Sequence, residues 1–200
     1  MVRRIGVVPL TFAMILGGAL TPLLFAAAIM ADGNWTFNEN TLSDLGISAK
    51  RTVALLFNGT CMMAGICVAI FGLGKAQRSS GLDAASGLLM GLSGVFLFLV
   101  GIFTKDMRAL HMAVACSYFV LMGLAIIIGI ISDSRRKRYY MISCDVVILM
   151  VSAVAIITLT YKGMEVVYVL ITCVWGLIQG LSLAFSKDYN TESDNRVVIK

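Results

Sequence analysis

The polar side chains that could do chemistry in this 200-residue chain lie near the ends of long apolar stretches. His111 is the only histidine, and it could act as a general base if the carboxylate of Asp44 or Asp106 oriented its ring. Ser43 would add a hydroxyl group for nucleophilic catalysis. The same groups, together with two amides, could instead form a ligand-binding pocket. The predicted pocket consists of Asn40, Ser43, Asp44, Asn58, Asp106 and His111.

Each of these residues also has a purely structural explanation. The segment from Thr41 to Asp44 fits the capping-box pattern Ser/Thr-x-x-Asp/Glu, so Asp44 could cap a short interfacial helix. Asp106 could pair with a cation of its own loop, which contributes little to stability. A lone histidine near a helix end is more often structural than catalytic, and Asn58 could bond a neighbouring helix. A capping role and a site role do not exclude each other.

The elements that must position these residues are membrane-spanning helices. Hydrophobic residues make up 59% of the chain and charged residues 14%, and the mean hydropathy is +0.91. A soluble domain needs a more polar surface, so the composition indicates a polytopic membrane protein. Because a span needs about 20 apolar residues, we predict a single all-α domain over residues 1–186, a bundle of six transmembrane helices. The spans are predicted at about 5–30, 51–74, 82–103, 109–132, 139–160 and 166–186, followed by a flexible cytoplasmic tail, 187–200.

The distribution of basic residues predicts that both chain ends face the cytoplasm. With six spans, five of the 16 lysines and arginines fall on the side away from the N-terminus, and the other eleven fall on the N-terminal side. The positive-inside rule places the richer side in the cytoplasm. The five are Lys50, Arg51, Lys105, Arg108 and Lys162. The loop of residues 31–50 is therefore predicted to face outwards from the cell membrane, on the same face as Asp106, His111 and Glu165.

The cytoplasmic side carries a basic run, Arg135, Arg136, Lys137 and Arg138. We interpret this run first as a topology signal and second as a contact site for anionic lipids. The net charge of +5 has the same explanation, and it does not indicate a nucleic-acid partner. Asp83 would begin the third span as an N-terminal carboxylate. Asp145 lies inside the fifth span, where Arg136 or Lys137 could reach back to neutralise it.

Several kinds of site have no support in the sequence. A zinc site needs about three converging ligands, and one histidine leaves mostly carboxylates. The chain has no glycine-rich phosphate loop and no GxSxG motif. We therefore predict neither a metal nor a cofactor. A transporter of ions or small molecules is the third choice, because no charged residue lies near the predicted midplane.

Three short motifs resemble those of a known family: Thr41-Leu-Ser-Asp-Leu-Gly46, Phe57-Asn58, and Gly101-Ile-Phe103 through Asp106 to His111. Over residues 5–185 the chain is similar to the domain of unknown function 998 family, six-span membrane proteins of archaea and bacteria. The resemblance implies the six-helix fold and a prokaryotic source, without an activity. More distantly, the chain is similar to the Frag1/DRAM/Sfk1 group, which is linked to lipid remodelling, phosphoinositide regulation and autophagy. By analogy, this favours a lipid ligand.

These observations lead to a first functional hypothesis and two alternatives. The first is a membrane protein whose polar outer pocket binds a lipid headgroup or a membrane-protein partner, in a regulatory or accessory role. The second is a lipid-directed enzyme that uses His111 with Asp44 or Asp106, and the third is a transporter. Membrane lipids are the expected partners, and the sequence leaves the oligomeric state open. The two GxxxG motifs, at Gly87/Gly91 and Gly176/Gly180, are expected to pack within the bundle.

Overall fold

The computed structural model describes residues 6–185, which form six long helices and two short 3-10 helices, without strands in this range. The predicted cytoplasmic tail, 187–200, lies outside the described residues. The long helices are α1 (Val7–Asp32), α2 (Arg51–Arg78), α3 (Gly81–Ile102), α4 (Arg108–Arg135), α5 (Tyr139–Thr158) and α6 (Tyr161–Phe185). The 3-10 helices are Leu42–Ile47 and Lys105–Met107.

All six long helices are long and apolar enough to cross a membrane. Large apolar side chains face outwards, for example Ile157 and Met30, which are 83% and 82% exposed. A soluble protein rarely exposes so much apolar surface, whereas lipid chains would cover it. The predicted fold class, an all-α bundle of six transmembrane helices, is therefore confirmed, and the chain is a multi-pass membrane protein.

The helices form a closed ring, because each packs against the next along the chain and α1 packs against α6. Short connections make neighbouring helices antiparallel. Residues 33–50 and the α3–α4 and α5–α6 connections thus lie at one end, here called the cap end. The α2–α3 and α4–α5 connections lie at the other, the basic end, which takes its name from the residues described below.

Glycines bring α2 and α3 into close contact, with Gly65 and Gly72 of α2 facing Gly87, Gly91 and Gly94 of α3. A Cβ on Gly72 would lie 2.7 Å from both the carbonyl oxygen of Gly87 and the Cα of Gly91. Any larger residue there would push the two backbones apart. In the second GxxxG motif, a Cβ on Gly180 would lie 3.2 Å from Met14 of α1. Both motifs therefore pack within the bundle, as expected.

Two helices extend beyond their predicted spans. The sequence placed Lys75 in a loop after the second span, but α2 continues to Arg78. Similarly, α4 runs to Arg135 rather than ending near residue 132. Hydropathy detects the apolar part of a helix and not its polar ends, where lysine and arginine can extend towards water. The extension of α2 brings Lys75 to the carboxylate of Asp83 at the basic end.

Candidate functional site

The cap consists of residues 33–50 and contains the 3-10 helix Leu42–Ile47. Thr41 and Asp44 form the predicted capping box at the start of this helix. The backbone N–H of Thr41 donates to Oδ2 of Asp44 over 2.8 Å, and the reciprocal bond of the capping box is also present. The indole N–H of Trp35 donates to the carbonyl oxygen of Thr41, also over 2.8 Å. The capping interpretation of Asp44 is therefore confirmed.

Asp44 also forms an ion pair with Lys105 of the α3–α4 connection. The ammonium group of Lys105 donates in addition to Oγ1 of Thr41 over 2.7 Å. Partial burial acts to raise the pKa of Asp44, but hydrogen bonds from Lys105 and Thr41 outweigh it, so the pKa lies below its usual range. Asp44 thus joins two connections at the cap end as a carboxylate.

Glu165, at the start of α6, holds the cap from the other side. Its Oε1 accepts the hydroxyl of Ser43 over 2.6 Å and the backbone N–H of Ser43 over 3.2 Å. Lys105 and His111 lie within electrostatic range of this carboxylate. The sequence placed Glu165 on the correct face but not in the predicted pocket. Its partner is 122 residues away in the chain, and only its position at a helix start hinted at a role.

Asn58 of α2 binds the C-terminal part of the 3-10 helix. Its side-chain N–H donates to the carbonyl oxygen of Gly46 over 3.0 Å, whereas its Oδ1 is buried without a hydrogen-bond partner among the described residues. A Cβ on Gly46 would lie 2.6 Å from this Oδ1. Glycine is therefore required there because α2 and the cap approach each other closely.

His111 is buried and is hydrogen-bonded to the backbone. Its Nδ1 lies 2.7 Å from the carbonyl oxygen of Phe103, which can only accept, so Nδ1 carries the proton. Within residues 6–185, no hydrogen bond or ion pair joins His111 to Asp44 or Asp106. Asp106 is exposed and accepts from Thr104 within its own turn.

The structure thus distributes the six predicted pocket residues among three places. Ser43, Asp44 and Asn58 surround the 3-10 helix of the cap. Asn40 accepts the backbone N–H of Thr36 over 3.0 Å, in a turn that precedes this helix. Asp106 and His111 belong to the α3–α4 connection and its flanks. The hydrogen bonds of these six residues go to the backbone or to side chains outside the predicted set, such as Glu165, Lys105 and Thr104.

Further bonds fix the cap to the remaining helix ends. Asn38, in a left-handed conformation (φ +65°), binds Thr160 between α5 and α6 through several hydrogen bonds of 2.7–3.0 Å. Ser48 donates to Asp32 at the end of α1 over 2.6 Å, and Lys50 donates to the carbonyl oxygen of Asp32 over 2.7 Å. The cap therefore closes one end of the ring.

Beneath the cap lies a cavity of about 60 Å³ inside the ring, and its surface is almost wholly apolar. Its lining runs from Phe25 to Met14 along α1, a distance of roughly 16 Å at 1.5 Å per residue. Ser43 and Glu165 line its upper end. Thr21 also lines it, and the Thr21 hydroxyl is buried without a hydrogen-bond partner among the described residues. The cavity is long, narrow and apolar, with polar groups concentrated towards the cap.

The basic end contains a second group of charges. Asp83 of α3 is 1% exposed and lies 3.4 Å from Lys75, 3.1 Å from Arg136 and 3.6 Å from Arg138. Arg138 also pairs with Asp133. The sequence anticipated Asp83 only as a helix-terminal carboxylate. Its partners reach it from α2 and from the α4–α5 connection.

The basic run of residues 135–138 is divided by this arrangement. Arg136 and Arg138 pair with the carboxylates, whereas Arg135 and Lys137 are exposed. The expectation that Arg136 or Lys137 neutralises Asp145 was wrong. Asp145 instead accepts the indole N–H of Trp175 over 2.6 Å, because Asp83 lies where the basic side chains enter the bundle.

Comparison with known proteins identifies a family and nothing more specific. No curated protein and no solved structure matches the chain. Residues 15–185 match the family described as "Protein of unknown function (DUF998)". This match covers all six helices except the first turns of α1. The chain therefore belongs to the DUF998 family, as its motifs predicted.

Proposed function

We propose that this protein binds a single membrane lipid, with one acyl chain in the central cavity and the polar head beside the cap. The observation that carries the proposal is the narrow apolar cavity, which runs from the cap towards the middle of the bundle. The binding would serve a regulatory or accessory role in the cell membrane. A partner protein could then recognise the occupied state.

An apolar chain suits the cavity better than water or a polar solute. Cavities lined by aliphatic and aromatic side chains stay dry, because water finds too few hydrogen-bond partners there. Buried apolar surface gains about 25 cal/mol per Å² when an apolar ligand covers it. The narrow shape favours a flexible chain over a ring system. The orphan hydroxyl of Thr21 offers one donor to an ester or hydroxyl oxygen of the ligand.

The charges around the cap favour a head without net charge. Five basic residues at the cap end face five acidic residues, namely Asp32, Glu39, Asp44, Asp106 and Glu165. A headgroup with several negative charges would require an excess of cations. A zwitterionic or hydroxylated head needs no excess of cations, which fits the balance of charges at the cap end.

A binding role fits the hydrogen bonding better than catalysis. The hydroxyl of Ser43 donates to the same Glu165 oxygen as its own N–H, which is how a carboxylate caps a helix start. His111 is oriented by the Phe103 carbonyl oxygen and not by a carboxylate. General-base catalysis needs the base close to the proton that it removes, and these contacts do not bring His111 to Ser43.

The proposal can be tested by native mass spectrometry with two alanines of α4. Ala115 lines the cavity, and Ala113 is exposed two residues earlier. After delipidation and titration with lysophosphatidylcholine, we expect one saturable lipid on the wild type and on Ala113→Phe. Ala115→Phe should lower that affinity at least tenfold, because its ring occupies the cavity. Equal binding by the two variants, or none by the wild type, would contradict the proposal. Preference for lysophosphatidic acid would refute the head assignment alone.

A further inference from the structure

A separate feature of the basic end concerns Asp145, six residues into α5. This position is roughly 9 Å from the first residue of the helix, at 1.5 Å per residue. Asp145 is 1% exposed. Its Oδ1 accepts the indole N–H of Trp175, but its Oδ2 is buried and has no hydrogen-bond partner among the described residues. An ionisable group so buried in a spanning helix is expensive and usually functional.

The charged groups nearest to Asp145 come from α2, α4 and the α4–α5 connection. Lys75 of α2 and Arg138 of the α4–α5 connection are positive, whereas Asp133 of α4 is negative. Lys75 and Arg138 both form ion pairs with Asp83 of α3. From α6, the neighbour of Asp145 is the neutral Trp175. Within residues 6–185, no basic nitrogen lies within ion-pair distance of Asp145.

The surroundings of Oδ2 offer no hydrogen-bond donor among the described residues. A Cβ on Gly129 of α4 would lie 3.9 Å from Oδ2 and 3.5 Å from the hydroxyl oxygen of Ser86 in α3. Both oxygens thus lie near Gly129, but no hydrogen bond joins them. The only proton of the Ser86 hydroxyl is donated to the carbonyl oxygen of Ala125 over 2.9 Å. An ionised Oδ2 would therefore be a buried charge without a hydrogen-bond donor, which is costly, and protonation removes that charge.

We propose that Asp145 is a proton-binding site, which carries a proton on Oδ2 in the folded bundle at neutral pH. The bond from Trp175 persists in that state, because the carbonyl oxygen of a protonated carboxyl group still accepts. Release would transfer the proton to water at the basic end. It would leave a buried charge between α5 and its neighbours. Only four residues of α5 are buried, and they are Met141, Asp145, Ile148 and Ala155. Ionisation therefore loosens the docking of α5.

Infrared spectroscopy tests the protonation state directly. In nanodiscs at neutral pH, the wild type should show the C=O stretch of a protonated carboxyl group. That band should shift on ¹³C-aspartate labelling and disappear in Asp145→Asn. Its absence from the wild type would overturn the proposal. Because absence of the band is scored in the wild type alone, the proposal can be overturned even if the variant does not fold.

Fluorescence provides an independent readout, since the chain contains only two tryptophans. In a Trp35→Phe background, the emission of Trp175 reports on the carboxyl group that accepts its N–H. We expect a reversible change in this emission as the pH rises above neutral, and none when Asp145→Asn is added. A change confined to acidic pH would show that Asp145 is ionised at neutral pH and would refute the proposal. Asp106→Asn, at an exposed carboxylate of the cap end, is the matched control.

Discussion

The two ends of the bundle are held by different interactions. At the cap end, hydrogen bonds join residues 38–50 to α1, α2 and α6 and to the α3–α4 and α5–α6 connections. Its central ion pair, Asp44 with Lys105, has side chains that are 29% and 32% exposed. At the basic end, Asp83 is almost fully buried and three basic side chains surround it. Partly exposed pairs contribute little, whereas breaking a buried ion pair is strongly destabilising. We therefore expect the basic end to be the more stable of the two, and the cap end to be the one that opens if the proposed lipid enters.

The largest effect should follow from removing the buried carboxylate of Asp83 at the basic end. Asp83→Ala deletes the carboxylate shared by Lys75, Arg136 and Arg138, and leaves cations without their partner at the membrane surface. We expect the free energy of unfolding in mixed micelles to fall by about 3–5 kcal/mol, the usual cost of breaking a buried ion pair.

The matched control for this prediction is Asp106→Ala, because Asp106 is exposed and accepts only within its own turn. A surface substitution of this kind should change the free energy of unfolding by less than about 0.5 kcal/mol. If the two variants lose similar stability, the contrast between the ends is wrong.

The smallest effect should appear at the cap end, as a dependence of stability on pH. Because the pKa of Asp44 is lowered in the folded protein, its ion pair stabilises the fold above the unfolded pKa of an aspartate, about 3.9. This contribution is lost as the pH falls through the lower folded pKa. We expect a loss of up to about 1 kcal/mol, since the pair is nearly one-third exposed.

Denaturant titrations of the wild type and Asp44→Asn between pH 2 and pH 6 would measure this contribution. The difference in unfolding free energy between the two proteins should shrink as the pH falls, because the wild-type carboxylate becomes neutral. Parallel curves across the whole range would show that Asp44 contributes no charge-dependent stability.

Local features of both ends could be predicted from the sequence. The six spans follow from hydropathy, and the capping box of Thr41 and Asp44 follows from a three-residue spacing. The pairing of Ser43 with Glu165 could not be predicted, because it depends on the closure of α6 onto the cap, 122 residues along the chain. The sequence also could not predict which residues of the basic run 135–138 pair with carboxylates. Lys137 has a left-handed backbone (φ +58°), and Arg136 and Arg138 on either side of it pair with buried carboxylates.

The central claim, that one acyl chain lies inside the ring beneath the cap, is tested most directly by photocrosslinking. Lysophosphatidylcholine with a diazirine at its chain end would be irradiated with the protein in nanodiscs, and the labelled residues mapped by mass spectrometry. We expect labelling of Met14 or Met122, which line the cavity, and its loss when unlabelled lipid is added in excess. Labelling of Met150, which is 63% exposed on α5, should resist this competition. Labelling confined to such outward-facing residues would contradict the account.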